Sequence, residues 1–411
     1  MRETLTRSPQ QHRALVYTRR VRRPDSPSQG KAWVRLAQLR GRIATMARGG
    51  RYDHTARLLG ELTRADLALG LPADALLRAR QAAQLAEENG DPTAGPLVVL
   101  AATLLAAEEP AAAIDGARLA IDRATEDELP RIAITAQLVG GAAQRRLGHL
   151  AEARLLLDAA RTGAAQRGDG ALAGLALAEL AWVDHAEGAP AAAATCLEFA
   201  AGFFRRAAQP IGALVISDEE KRRLARASAE ADALAVASWA AAGDVAAATA
   251  RAGRAADMAK LFGRPDLVAF LDGALADLAL GARTPEDGGP AAVQACALAA
   301  ESAELLGPSP LSRDLRAQAR LRQVRASEDA LDRERHLEAG IDLALGLPRS
   351  RAGARLGATL VGLLDDAVAL HAAPHRGEVD RLYRALAGLG DADLAAMAES
   401  VLGELDSPRR W

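Results

Sequence analysis

The chain has 411 residues, too many for one ordinary core and enough for two or three domains or one elongated array. Half of it is hydrophobic by count but only 3% is aromatic. Alanine and leucine, both strong helix formers, supply most of the apolar side chains, which excludes an ordinary β-sandwich or barrel. Lys and Arg number 51 against 53 Asp and Glu, a net charge of -2, so no whole-chain basic field draws the protein onto nucleic acid.

Residues 1–30 carry Pro9, Pro24 and Pro27, few large apolar side chains, and the basic cluster Arg19, Arg20, Arg22 and Arg23. The composition predicts a disordered arm. Its arginines are candidates for phosphate contact by charge and reach alone, since no aromatic platform or helix-turn-helix accompanies them. No apolar stretch of the secretory kind follows the first charges. The longest nearly uncharged run, Gly95 to Ala107, falls short of the roughly 18–20 apolar residues of a membrane span. A cytoplasmic location is the default expectation. Cys196 and Cys296 both sit in alanine- and leucine-rich stretches, where a thiol behaves as a small buried hydrophobe rather than half of a disulfide framework.

From about residue 31 to residue 405 the pattern is helix after helix, punctuated by Gly, Pro and Asp, as at Gly90-Asp91-Pro92 and Gly168-Asp169-Gly170. Thr125-x-x-Glu128 and Ser217-x-x-Glu220 fit the capping box that opens a helix. Turn signals at Gly70, Glu108-Glu109, Gly148 and Gly188 recur about every 39–40 residues, and Gly243 resumes the pattern after a longer gap. Behind each turn small residues repeat at spacings of four and three: Ala75, Ala79 and Ala82; Ala113, Ala117 and Ala120; Ala153, Leu157 and Ala160. The same stripe returns at Ala193, Leu197 and Ala200 and at Ala248, Ala252 and Ala255. It places small side chains where a neighbouring helix can approach closely.

These residues resemble the tetratricopeptide-repeat superfamily. The stretch Gly141 to Ala160 is similar to its core pattern, with a small residue in the first helix (Gly141), a turn glycine (Gly148), and Ala153, Leu157 and Ala160 in the second. The chain departs from the pattern in its longer period, in lacking the large aromatic of the first helix, and in having no regular proline after the second. Longer helices would account for the first departure. The expected fold is all-α, a right-handed superhelix of antiparallel helix pairs. The expected organisation is a basic arm (1–30), an N-terminal lobe (31–209), a connector (210–217), a C-terminal lobe with capping helices (218–405) and a short tail (406–411).

The sequence carries no recognisable catalytic motif. None of the three lysines, Lys31, Lys221 and Lys260, completes a P-loop. His371-x-x-x-His375 has metal-ligand spacing, but Pro374 breaks the helix that would align the imidazoles. Asp184 and His185 are adjacent and so point in different directions on a helix. The sequence therefore predicts no enzyme, no cofactor and no metal. What the resemblance implies is a concave surface, here mostly apolar, whose candidate partner-binding residues are Leu105, Thr135, Leu138, Arg145, Trp182 and His185. Val98, Ala102, Ala142, Ala178, Ala233, Ala237 and Ala240 share the same register. A single asparagine, Asn89, and three lysines leave no ladder for clamping a terminal carboxylate. The function expected is that of an interaction scaffold for a protein or an amphipathic helix. The rival readings are an effector-sensing regulator that touches DNA through the arm, and an enzyme with an unrecognised site.

Overall fold

A computed structural model describes residues 52–68, 71–209, 217–281, 289–306 and 310–327, with isolated helical positions between 37 and 45 and between 332 and 343. The arm at 1–30, most of the connector, His371, His375 and the C-terminal end lie outside the described residues, as does the turn at Gly70. Every described element is an α-helix. The chain forms two compact units, one up to Gly188 and the other from Ala189 onward.

In the first unit the helices are α1 (Tyr52–Ala68), α2 (Pro72–Asn89), α3 (Ala94–Ala106), α4 (Pro110–Glu126), α5 (Pro130–Arg146), α6 (Leu150–Gln166) and α7 (Gly170–Ala186). From α4 to α7 each helix has 17 residues and each turn has three, so one helix pair repeats every 40 residues. This is the long period of the sequence, and longer helices are its cause. The middle residue of each turn adopts the left-handed conformation, as at Gly148 (φ 80°) and Gly168 (φ 69°). The residue after it donates its backbone N–H five residues back, from His149 to Gln144 and from Asp169 to Ala164, closing the preceding helix in a Schellman motif. Proline opens α4 and α5, where its missing N–H costs nothing, and Leu150 and Gly170 open α6 and α7.

Two turns place glutamate where glycine is favoured: Glu108 has φ 65° and Glu128 has φ 54°. The expected capping box at Thr125-x-x-Glu128 is thereby corrected. Thr125 lies in the last turn of α4 and donates its hydroxyl to the Ile121 carbonyl at 2.8 Å, while Pro130 rather than Thr125 marks the next helix start. The second expected box holds in its capping half, because Ser217 Oγ accepts from the Glu220 backbone N–H at 3.2 Å.

Each helix packs on the next in sequence, and α1, α3, α5 and α7 also pack one on another in succession. These first helices of each pair therefore form the inner layer of the unit, and α2, α4 and α6 the outer one. All of the small-residue stripes foreseen in the sequence are buried, from Ala75 to Ala255. Gly141 shows why they must be small. A Cβ built on it would sit 2.6 Å from Leu157 Cγ and 3.2 Å from the Ala153 carbonyl oxygen, the partners that the repeat pattern pairs with it.

The second unit contains α8 (Pro190–Ala207), α9 (Asp218–Ala241), α10 (Val245–Leu261), α11 (Pro265–Gly281), α12 (Gly289–Glu304) and α13 (Pro310–Ala326). The same rule of packing holds, with α9, α11 and α13 as the inner layer. Its departure from regularity is α9, which runs for 24 residues.

Candidate functional site

On the inner layer of the first unit, α3 contributes Leu105, α5 contributes Thr135, Leu138 and Arg145, and α7 contributes Trp182 and His185. Five of these six are half-buried and Trp182 is exposed. Val98 and Ala142, from the same register, are buried in the core, as is Ala233 in the second unit. These positions serve packing because an alanine-thin helix pair draws its neighbour in over them. Leu105 also leans on the cluster of Leu104, Ala113 and Ala143. Thr135 spends its hydroxyl on the Arg131 carbonyl one turn back, at 2.8 Å.

The polar members tie the layer together. Arg145 on α5 donates through Nε and Nη2 to Glu179 on α7, at 3.1 and 3.0 Å. Its neighbour Arg146 donates to the Leu105 carbonyl of α3 at 2.8 Å. Trp182 is 41% exposed, and Leu175, seven residues earlier on the same face, is 42% exposed. Two turns of helix thus carry two large apolar side chains to one side, with Glu179 between them. The His185 ring lies 6.0 Å from that of Trp182, tilted by 38°. Burial lowers the His185 pKa below the ordinary imidazole value, against the opposing pull of Asp184. Asp184 itself is buried and accepts from Arg154 of α6 at 2.6 Å, while the same guanidinium reaches Glu187. The adjacent acid and imidazole thus face different neighbours. Sequence reasoning missed Leu175 and Glu179, although a repeat of 40 residues aligns Leu175 with Thr135.

A second feature, not foreseen in the sequence, is a cleft of about 560 Å³ in the second unit, between α8 and α10 and floored by α9. Glu198 and Phe199 enter it from α8, Asp232 from α9, and Arg251 and Arg254 from α10, with Arg205 at the end of α8. Asp232 is nearly buried and accepts from Arg205 at 2.7 Å. Burial pushes its carboxyl above the usual carboxylate range, against the pull of Arg205 and Arg254. Glu198 accepts from the Trp239 indole N–H at 2.8 Å and pairs with Arg251, whose guanidinium lies over the Trp239 ring at 5.5 Å.

Among the described residues no group of three His, Cys, Asp or Glu side chains is arranged to hold a metal ion, and no helix is long and apolar enough to cross a membrane. Cys196 and Cys296 are not joined in a disulfide. Burial pushes the Cys296 thiol up to about 11, far from the low pKa of a reactive cysteine.

The packing and the turn geometry define the class: tetratricopeptide-like helical repeats in two units. No protein-family model matches the chain, and no curated protein matches it. Among solved structures it is similar to a Rap protein complexed with competence and sporulation factor, at 14% identity over 91% of this chain and 89% of that one, with a TM-score of 0.47. It is also similar to yeast Tom70, at 10% identity over 90% of this chain and 96% of that one, with a TM-score of 0.24. A circular tandem repeat protein with a novel repeat topology matches at 14% identity over 90% and 88% of the two chains, with a TM-score of 0.24.

Proposed function

We propose that the chain is a non-catalytic interaction protein whose inner face in the first unit receives an amphipathic helix of a partner protein. The observation that carries this reading is the exposed pair Leu175 and Trp182 on one side of α7. Large apolar groups seven residues apart match the i and i+7 anchors by which helices are read in grooves. Tryptophan is also the side chain most enriched where binding energy concentrates. Leu138 and Leu105 continue the apolar surface on the two preceding inner helices, and the Arg145–Glu179 pair fixes the spacing of α5 and α7. The Arg145 guanidinium, half-buried and already paired, orients the face rather than serving as a free cation.

The test uses a partner recovered with the full chain and then purified. It should bind the native protein with defined stoichiometry and lose at least tenfold in affinity to the variant Leu175→Glu with Trp182→Ala, whose thermal midpoint should stay close to the native one. Undiminished binding by that variant would place the docking surface elsewhere.

A further inference from the structure

The cleft of the second unit lies where the repeat spacing breaks: the turn glycines Gly188 and Gly243 bracket a segment longer than one repeat, and α9 exceeds its neighbours in length. α8 and α10 both pack on α9, and the space between them is bordered by five charged side chains together with Phe199, Thr195 and Ala250. Three guanidiniums, of Arg205, Arg251 and Arg254, face two carboxylates, of Glu198 and Asp232, which leaves one positive charge in excess. That excess has a location. Arg254 is 69% exposed, and its nearest acid among the described residues, Asp232, is 3.8 Å away, beyond hydrogen-bonding distance. Asp232 is already engaged by Arg205, and Glu198 by Arg251 and Trp239. Beside this group Phe199 is 59% exposed on α8.

We propose that this cleft binds an acidic peptide segment, seating a Glu or Asp carboxylate against Arg254 and Arg205 and a neighbouring apolar side chain against Phe199. A guanidinium presents a planar fork of donors that matches a carboxylate. The built-in acids hold the arginines in place and cap the charge at one unit of excess, so the site suits a single carboxylate better than a polyanion. The cleft volume fits one or two side chains of an extended peptide. Trp239 supplies an internal reporter, because its ring lies under Arg251 and its N–H is held by Glu198. This site is independent of the inner face of the first unit and stands or falls separately from it.

The experiment is a titration of the full chain with the blocked tripeptide leucine–glutamate–leucine, which carries one carboxylate, read by calorimetry and by indole emission. Its leucine–glutamine–leucine counterpart and inorganic phosphate at matched ionic strength are run beside it. The expected result is saturable binding of the glutamate peptide, weakened at least tenfold by Arg254→Glu and several-fold by Phe199→Ser, and unchanged by Trp182→Ala. Both weakening variants alter exposed side chains and should keep the native thermal midpoint. Equal binding of the glutamine peptide, indifference to Arg254→Glu, or loss of binding through Trp182→Ala would each overturn the proposal. Displacement of the peptide by phosphate alone would also overturn it, reducing the cleft to a general anion site.

Discussion

Arg78 of α2 and Asp66 of α1 form an ion pair at 3.2 Å with side chains 2% and 0% exposed, locking the first described helix pair from inside. Arg78 is among the largest fully buried side chains of the chain, and a charge so buried needs an opposite one beside it, which Asp66 supplies. Replacing Asp66 with Ala takes a fully buried carboxylate from beside the Arg78 guanidinium, and urea denaturation should register a loss of about 3–5 kcal/mol. The double replacement Asp66→Leu with Arg78→Met should recover most of that loss. A double variant as unstable as the single one would show that the pair contributes more than mutual neutralisation.

The close approach of α5 and α6 gives a second prediction. Gly141→Ala must push its methyl group into Leu157, and Ala153→Leu overfills the same contact, so each should cost about 1–3 kcal/mol by denaturant titration. Gly202 on α8 has nothing within 4 Å of its would-be Cβ. There Gly→Ala should instead stabilise by about 0.4–1 kcal/mol, by restricting the unfolded chain. Equal effects at the two glycines would contradict the repeat register.

Glu108 and Glu128 occupy left-handed turn positions that cost an L-residue about 1–2 kcal/mol. Glu128→Gly should therefore raise the thermal midpoint, the relief of strain outweighing the added freedom of glycine in the unfolded state. The same exchange at Glu126, the last residue of α4 and ion-paired with Arg123 at 3.0 Å, should lower it.

His185 makes stability depend on pH in a definite direction. Its pKa in the fold lies below the ordinary 6.5 because burial disfavours the imidazolium, with Asp184 opposing. The unfolded chain consequently binds the proton more readily. The contribution is complete above pH 6.5 and is lost as pH falls from there toward the folded value. Thermal midpoints measured from pH 8 downward should decline in this window for the native protein and decline less for His185→Gln.

The architecture was legible because it rests on local chemistry. Turn residues at a fixed interval and alanine stripes at four-and-three spacing state the repeat without any long-range knowledge, and Gly141 meets the two residues that the pattern assigns to it. The Thr125–Glu128 signature misled because the same four residues also fit the end of one helix, and Pro130 decides between the readings. The inner face was only partly legible. Register alone cannot tell Ala142, drawn into the core, from Trp182, left outside it. The cleft was invisible, since Glu198, Asp232 and Arg254 come from three different helices and share no spacing in the sequence.

The central claim, that the inner layer of the first unit is the docking face, is tested most directly by a photo-activatable amino acid placed at Trp182 and, in a separate protein, at Leu155. Leu155 is an exposed position on the outer helix α6. The account predicts a covalent adduct with the partner from position 182, mapping to an apolar stripe of a helix, and none from position 155. Adducts from position 155 alone would contradict it.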